Sequence, residues 1–124
     1  MLLAVNGTLM RGLELNPNML AAGGTFVREA RTAACYRLWS IGERYPAMQR
    51  DEQNGVTVAL EIWEITPDGL VHLLAQEPPG LAIGRVLLED GSSVLGVLAE
   101  VYILAGQPEI SAYGGWRAYR EATA

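Results

Sequence analysis

One carboxylate in the sequence stands in a setting that suits acid–base chemistry. Glu77 follows a helical pattern with three leucines on one face, and Pro78-Pro79 directly after it prevents the helix from continuing. The side chain is therefore expected at a rigid corner among apolar residues, from which it cannot swing away. A buried general acid or base requires such a position.

Two other acids lie among apolar residues of predicted strands. Glu61 falls in Val56 to Ile65, the longest strand pattern, and Glu100 falls in Ser93 to Leu104, the predicted return strand of a hairpin. Both faces of the first strand are largely apolar, so Glu61 is either forced inward, where it must be paired or protonated, or solvated near a sheet edge. Glu100 is expected to face inward.

Nucleophilic and metal chemistry are poorly supplied. The chain has one cysteine, Cys35, and one histidine, His72, which is expected on a helix as a surface or packed residue. It contains no GxSxG elbow, Walker loop, HExxH or Ser-His-Asp candidate. We therefore predict no metal site and no cofactor, and carboxylate chemistry is what remains.

Composition limits the class of protein. A chain of 124 residues is expected to form a single domain over residues 1–124 and to fold without disulfides. The net charge of -5 and the absence of lysine weigh against a nucleic-acid surface. No apolar run approaches the ~20 residues of a membrane span, and the start lacks the features of a signal peptide. We expect a soluble, cytoplasmic protein.

The remaining patterns predict the elements that position these residues. Asn6-Gly7-Thr8 breaks the opening strand, and Gly7 there serves either an ordinary turn or a close approach of the backbone to a ligand. The polar segment Gly42 to Gly55 is read as an exposed connection or a pocket rim. The other predicted elements are strands Met1 to Val5, Thr25 to Arg31, Ala34 to Ile41 and Leu81 to Leu88, and helices after Asn16, from Thr66 to Glu77 and from Trp116 to Ala122.

Several segments carry a family resemblance. Asn6-Gly7-Thr8-Leu9 is similar to the YG[ST]L loop of γ-glutamylcyclotransferase-like proteins, and Leu73 to Glu77 resembles their LDxxE segment, which carries the catalytic Glu. More closely, the chain resembles the C-terminal domain of allophanate hydrolases and its small stand-alone relatives. The segments that carry this second resemblance, which covers nearly the whole chain, are Ala30 to Ser40, Glu61 to Ile65, Glu77 to Gly84, Leu88 to Glu100 and Glu109 to Tyr119.

The resemblance implies an α+β fold: a small, mostly antiparallel β-barrel with a few short helices, with its pocket between the first-strand loop and the helix-to-strand corner. In cyclotransferases the Glu moves a proton while a γ-glutamyl amide cyclises to 5-oxoproline, and Glu77 takes that catalytic role by position. The allophanate hydrolase domains instead break down the carbamate- or urea-type product of an amidase partner, a decarboxylation that needs an anion site and a proton donor.

The resemblance also gives a set of substrate-binding candidates. The backbone amides of Gly7, Thr8 and Leu9 would hold a carboxylate or a developing oxyanion. Arg37 or Arg11 would hold a carboxylate, or would simply lie at the surface. The full predicted substrate-binding set is Asn6, Gly7, Thr8, Leu9, Tyr36, Arg37, Glu61 and Glu100.

Two hypotheses of different class follow. The chain is either an enzyme that uses Glu77 on a small molecule, or a non-catalytic accessory or dimerisation module that binds an amidase partner or a second copy of itself. The arrangement of Glu77 and the first loop in space distinguishes them, because only the enzyme needs both to face one cavity.

Overall fold

The computed structural model describes residues 1–124 and consists of seven strands and three helices. Two 3-10 turns, Val101–Leu104 and Ser111–Tyr113, lie in the last quarter of the chain. In chain order the elements are β1 (Leu2–Val5), α1 (Asn16–Ala21), β2 (Thr25–Arg31), β3 (Tyr36–Ile41), β4 (Tyr45–Arg50), β5 (Ala59–Glu64), α2 (Pro67–Gln76), β6 (Leu81–Leu87), β7 (Ser93–Ala99) and α3 (Trp116–Thr123).

Five strands form one sheet in the order β2-β5-β1-β7-β6, and β3 and β4 form a separate hairpin. All pairings are antiparallel except that between β1 and β7. The outer strands meet only at the bridge between Thr32 and Leu88, so the sheet curls without closing into a continuous barrel. The predicted mixed α+β, mostly antiparallel fold is confirmed in this form.

The core forms around the central strands. The last three residues of β1 are buried, as are the four middle residues of β5, because both strands have a hydrogen-bonded neighbour on each side. Trp63, Tyr36 and Met48 are the bulkiest side chains near this centre and are at most 2% exposed. Burial of this apolar surface supplies most of the driving force for folding.

The local signals around Glu77 give the predicted corner. The Thr66 hydroxyl accepts a hydrogen bond from the Gly69 amide at 3.1 Å, and Pro67 occupies the first turn of α2. The helix ends at Gln76, and Glu77 takes an extended backbone before Pro78. Strand β6 then starts at Leu81, so the helix-to-strand corner lies where the sequence predicts it.

Two predicted boundaries are wrong. The segment from Gly42 to Gly55 contains β4, whose residues 46–48 are buried, because Pro46, Ala47 and Met48 give it an apolar centre within a polar segment. The return strand stops at Ala99 and not at Leu104, since the Glu100 amide turns to donate to Gly80 and a 3-10 turn follows. No helix of the protein is both long and apolar enough to cross a bilayer.

Candidate functional site

Glu77 and the first loop face one small cavity. A pit of about 30 Å³ is lined by the loop residues Asn6, Gly7, Thr8 and Leu9 on one side and by Glu77 on the other. Volume of this size admits only a water-sized group. The pit adjoins a wider cleft of about 350 Å³, with which it shares Thr8, Tyr45 and Glu77. The two segments that the sequence singles out therefore meet.

The Glu77 carboxyl has no partner within the chain. Its backbone amide donates to the Leu74 carbonyl at 3.2 Å, which fixes the residue at the end of α2. Its side chain forms neither an ion pair nor a hydrogen bond with any protein group. Partial burial raises the pKa of Glu77 above its ordinary value of 4.5, since an apolar surrounding disfavours the charged form. The raised pKa makes the group a better proton donor at a given pH than an exposed glutamate would be.

The carbonyls of the first loop accept hydrogen bonds within the protein, whereas three of its amides have no protein acceptor. The Gly7 carbonyl accepts from the Met10 amide at 3.0 Å, the Thr8 carbonyl accepts from Leu15 at 2.9 Å, and the Leu9 carbonyl accepts from the Asn16 side chain at 2.9 Å. The amides of Gly7, Thr8 and Leu9 lie outside any helix or strand and donate to no protein group. Successive free amides of this kind favour an anion.

Asn6 and Gly7 hold the loop against the hairpin. The buried Asn6 side chain donates to the Val97 carbonyl at 3.2 Å and contacts the Met48 sulfur at 3.8 Å. A Cβ atom on Gly7 would lie 2.7 Å from Pro46 Cδ, so only glycine fits at this position without movement. Asn6 therefore lines the pit but spends its amide hydrogen bonds on the fold.

The outer cleft contains two residues that sequence reasoning did not single out. Arg44 is exposed at the cleft and forms no ion pair, and Tyr45 lines both the pit and the cleft. Burial is the main cause that raises the pKa of Tyr45, which keeps its hydroxyl protonated. Both residues belong to the polar segment Gly42 to Gly55, for which an exposed connection and a pocket rim were the two interpretations. The second interpretation is the one that points to these residues.

The turn before these residues is fixed by the C-terminal helix. Glu43 adopts φ +59°, which is uncommon for a residue other than glycine. Its carboxylate accepts a hydrogen bond from the Tyr119 hydroxyl at 2.6 Å, and its carbonyl accepts one from Arg120 at 3.2 Å. Helix α3 thus holds the hairpin turn that presents Arg44 to the cleft.

Four of the predicted substrate-binding residues, Tyr36, Arg37, Glu100 and Glu61, do not line the pit. Tyr36 is fully buried, and its hydroxyl accepts the Leu87 amide at 2.9 Å, so it is a core residue. Arg37 is occupied by ion pairs with Asp51, at 3.2 Å, and with Glu109. Glu100 is exposed because its strand ends one residue earlier. Glu100, which was expected to face inward among apolar neighbours, points outward instead.

Glu61 is buried and paired but belongs to a different cavity. Its side chain is 3% exposed and forms ion pairs with Arg11 at 3.2 Å and Arg117 at 3.3 Å. It lines a cleft of about 450 Å³ between β2 and α3 that does not include Glu77. This cleft is the larger of the two, but the carboxylate at its floor is saturated with donors. We therefore take the Glu77 cleft as the candidate functional site.

The chain has no group of three or more His, Cys, Asp or Glu side chains placed to hold a metal ion. The arrangement around Glu77 is accordingly one of an unpaired acid, a row of free amides and a nearby arginine. Free amides and an unpaired acid are the groups that anion binding and proton transfer require.

The mixed α+β fold of this chain is the γ-glutamylcyclotransferase-like fold of AIG2-like proteins. An AIG2-like protein from Mus musculus shares this fold with a TM-score of 0.65 at 22% identity, covering 89% of this chain and 85% of that one. The chain belongs to the allophanate hydrolase C-terminal domain family, whose model matches residues 1–121.

The relatives of this chain include a protein of similar length and much longer proteins. A uropathogenic E. coli-specific protein of known structure is 59% identical, with a TM-score of 0.95 over 97% of this chain and 94% of that one. The allophanate hydrolase of Kluyveromyces lactis is 27% identical, with a TM-score of 0.93 over 99% of this chain and 21% of that one. The urea amidolyase of Saccharomyces cerevisiae is 28% identical over 96% of this chain. The chain spans only 7% of that curated relative's length.

Proposed function

We propose that this domain is a small-molecule enzyme that decarboxylates a carbamate- or urea-type carboxylate, with Glu77 as the proton donor. The observation that carries the proposal is a partly buried, unpaired carboxyl of raised pKa, which lines the same pit as the free amides of Gly7, Thr8 and Leu9. A proton donor beside an anion site is what this reaction needs.

The reaction balances with the groups at hand. In a compound R–NH–COO⁻ the bond between nitrogen and the carboxylate carbon breaks, carbon dioxide leaves, and the electron pair stays on nitrogen. Glu77 donates its proton to that nitrogen and regains one from solvent. No nucleophile is required, which agrees with a cleft that lacks Cys, His and Ser.

The size of the site indicates how a substrate would sit. The pit of about 30 Å³ accepts one small polar group, and the rest of the molecule occupies the outer cleft of about 350 Å³. A neutral Glu77 permits an anion beside it, whereas an ionised one would repel it. Arg44, which forms no ion pair in the chain, is placed to bind a carboxylate in the outer cleft.

The relatives support this class of substrate. Proteins named allophanate hydrolase and urea amidolyase contain a domain of this family, so a product of their amide hydrolysis is a reasonable substrate for it. In those proteins the domain is part of a longer chain. We extend the proposal to a separately encoded amidase as the source of the substrate for this chain.

A γ-glutamyl amide is the second candidate substrate. The observation that favours it is the position of Glu77 in the segment that resembles LDxxE, facing the loop that resembles YG[ST]L. Cyclisation requires the acid to accept a proton from the substrate's α-amino group and then to protonate the leaving amine. Release of 5-oxoproline distinguishes this reaction from release of carbon dioxide.

The experiment compares native protein, Glu77→Gln and the control Glu52→Gln, whose exposed carboxylate pairs only with Arg50 far along the hairpin. Each protein is offered the carboxylated product of an allophanate amidase, generated in the same vessel from labelled substrate, and separately a panel of γ-glutamyl amines. We expect native protein and the control to accelerate carbon dioxide release, and Glu77→Gln to be slower by about 100-fold or more.

Equal turnover by native protein and Glu77→Gln overturns the role of Glu77. Turnover of neither substrate, together with a stable complex between this chain and the amidase, would support the accessory-module hypothesis instead. Release of 5-oxoproline that depends on Glu77 would replace the first substrate class with the second.

A further inference from the structure

We infer that Glu61 is a positioning residue that closes the first loop and thereby sets the free amides of the candidate site; this inference rests on the proposed function for its catalytic meaning. Its carboxylate lies in the neighbouring cleft, is not in contact with the pit, and acts through Arg11.

The loop leaves the sheet beside Glu61 and returns to it. Val5, the last residue of β1, is directly opposite Glu61 on β5. Six residues later, the backbone amide of Arg11 donates to Glu61 Oε1 at 2.9 Å. The segment that supplies the free amides is therefore tied at both ends to one residue, by backbone strand pairing at Val5 and by the Glu61 side chain at Arg11.

Glu61 is held firmly enough to act as an anchor. Oε1 also accepts from Trp63 Nε1 at 3.1 Å, and Oε2 accepts from Arg11 Nε at 3.2 Å and from Arg117 at 3.3 Å. The residue is 2% exposed. Four donors on a buried carboxylate fix its orientation, and hydrogen bonds to a charged group are the stronger kind.

The same cluster joins the loop to the C-terminal helix. Arg117, on the first turn of α3, donates to the Arg11 carbonyl at 3.0 Å as well as to Glu61. The Arg11 guanidinium stacks on the Phe26 ring at 3.7 Å from the ring centroid. The backbone amide, the backbone carbonyl and the side chain of Arg11 are thus all held by contacts. These contacts fix the position of the C-terminal end of the first loop.

Geometry explains why this matters for the amides. Between the two tied ends, the loop carbonyls of Gly7 and Thr8 are already bonded inward, so the orientation of the peptide planes decides where their neighbouring amides point. A misplacement of about 1 Å at such a site reduces rates by roughly 100-fold. We call the hydrogen bonds between Glu61 and Arg11 the clamp. Loss of the clamp is therefore expected to weaken anion binding without removing any group that touches the anion.

The test uses Glu61→Gln, which keeps the shape of the side chain but loses its charge and one acceptor. The matched control is Glu29→Gln, which removes a different ion pair to the same guanidinium, at 2.9 Å from Arg11 Nη2, without touching the loop backbone. Oxamate, a planar amide carboxylate, is the probe. Its affinity and the amide signals of residues 7–11 are followed by ¹⁵N NMR at a temperature where all proteins are folded.

We expect Glu61→Gln to bind oxamate about 10-fold to 100-fold more weakly and to exchange its Arg11 amide hydrogen faster, because the loop end is released. The control is expected to resemble native protein in both readouts. Native-like exchange at Arg11 and unchanged oxamate affinity in Glu61→Gln would overturn the positioning role.

The outcomes separate this inference from the proposed function. Faster exchange in Glu61→Gln, with no oxamate binding by native protein, supports the clamp and contradicts the anion site. If Glu61→Gln does not fold, Glu61→Asp provides the second test, because it keeps the charge that faces Arg117 but shortens the side chain by one methylene and so draws the carboxylate away from the Arg11 amide. A loop as ordered as the native loop in that variant contradicts the clamp.

Discussion

At the scale of single residues, two glutamates show how surroundings decide chemistry. Glu61 accepts hydrogen bonds from two guanidinium groups, an indole and a backbone amide. Glu77 has none of these partners, and burial is the cause that raises its pKa. The first is fully occupied in holding the structure, and the second has no protein partner that would compete for its proton.

This difference gives a pH-dependent stability. Because the folded pKa of Glu77 lies above 4.5, both states hold the proton at low pH and burial costs nothing there. As the pH rises above about 4.5, the unfolded chain releases its proton first, so the free energy of unfolding falls until the pH exceeds the folded pKa. Glu77→Gln has no carboxyl to ionise at this position, so its free energy of unfolding does not fall for this reason.

Urea unfolding of native protein and Glu77→Gln between about pH 4 and about pH 8 measures the effect. The variant is expected to gain stability relative to native protein as the pH increases. A difference that stays constant over this range would show that the carboxyl titrates alike in both states.

At the scale of elements, the site depends on the contact between the first loop and the β3–β4 hairpin. Gly7 lies against Pro46 so closely that a Cβ atom would be 2.7 Å from Pro46 Cδ. The hairpin also supplies Arg44 and Tyr45 to the cleft. A shift between these two elements would therefore change the pit and the cleft together.

Gly7→Ala is expected to push the loop away from Pro46, to cost about 1–3 kcal/mol of unfolding free energy and to weaken oxamate binding. Chemical denaturation and NMR titration measure the two effects. Adding Pro46→Ala removes the clashing atoms, so the double variant should recover most of the lost affinity. A double variant as weak as Gly7→Ala alone would show that the close approach is not the cause.

Local sequence signals predicted the elements around Glu77 well. The Thr66 cap, Pro67 and the Pro78-Pro79 pair specify α2 and its end through backbone chemistry alone, and the structure agrees. The hairpin strand β4 was missed because its apolar centre is only three residues long within a polar segment. Pairing with β3, a tertiary effect, decides that it is a strand.

At the scale of the whole molecule, the site residues come from distant parts of the chain. Alternation along β3 puts Tyr36 and Arg37 on opposite faces of the strand, but it does not indicate which face meets the pit. In the structure neither residue lines the pit. Tyr36 turns into the core and Arg37 pairs with Glu109, 72 residues away. Such partners depend on how the hairpin and the last quarter of the chain pack, which no local pattern encodes.

The long-range pair between Arg37 and Glu109 also makes the stability of the protein depend on pH in the acidic range. Hydrogen bonds from Arg37 and then from the Ser111 hydroxyl lower the pKa of Glu109 below its ordinary value of 4.5. This contribution is therefore fully present above about pH 4.5 and is lost as the pH falls through the folded pKa.

Glu109→Gln is expected to be less stable than native protein at neutral pH and to approach it as the solution is acidified. Thermal unfolding of both proteins from about pH 6 to about pH 3 tests this. Parallel curves would show that the pair with Arg37 does not link the hairpin to the end of the chain.

We propose that the partly buried, unpaired carboxyl of Glu77, whose pKa is raised by burial, lies beside an anion site. The most direct measurement is a ¹³C NMR titration of the Glu77 carboxyl with and without oxamate. We predict a pKa above 4.5 in the free protein, and a further increase when the anion binds, because like charge disfavours ionisation. A pKa at or below 4.5 that oxamate leaves unchanged would contradict the account.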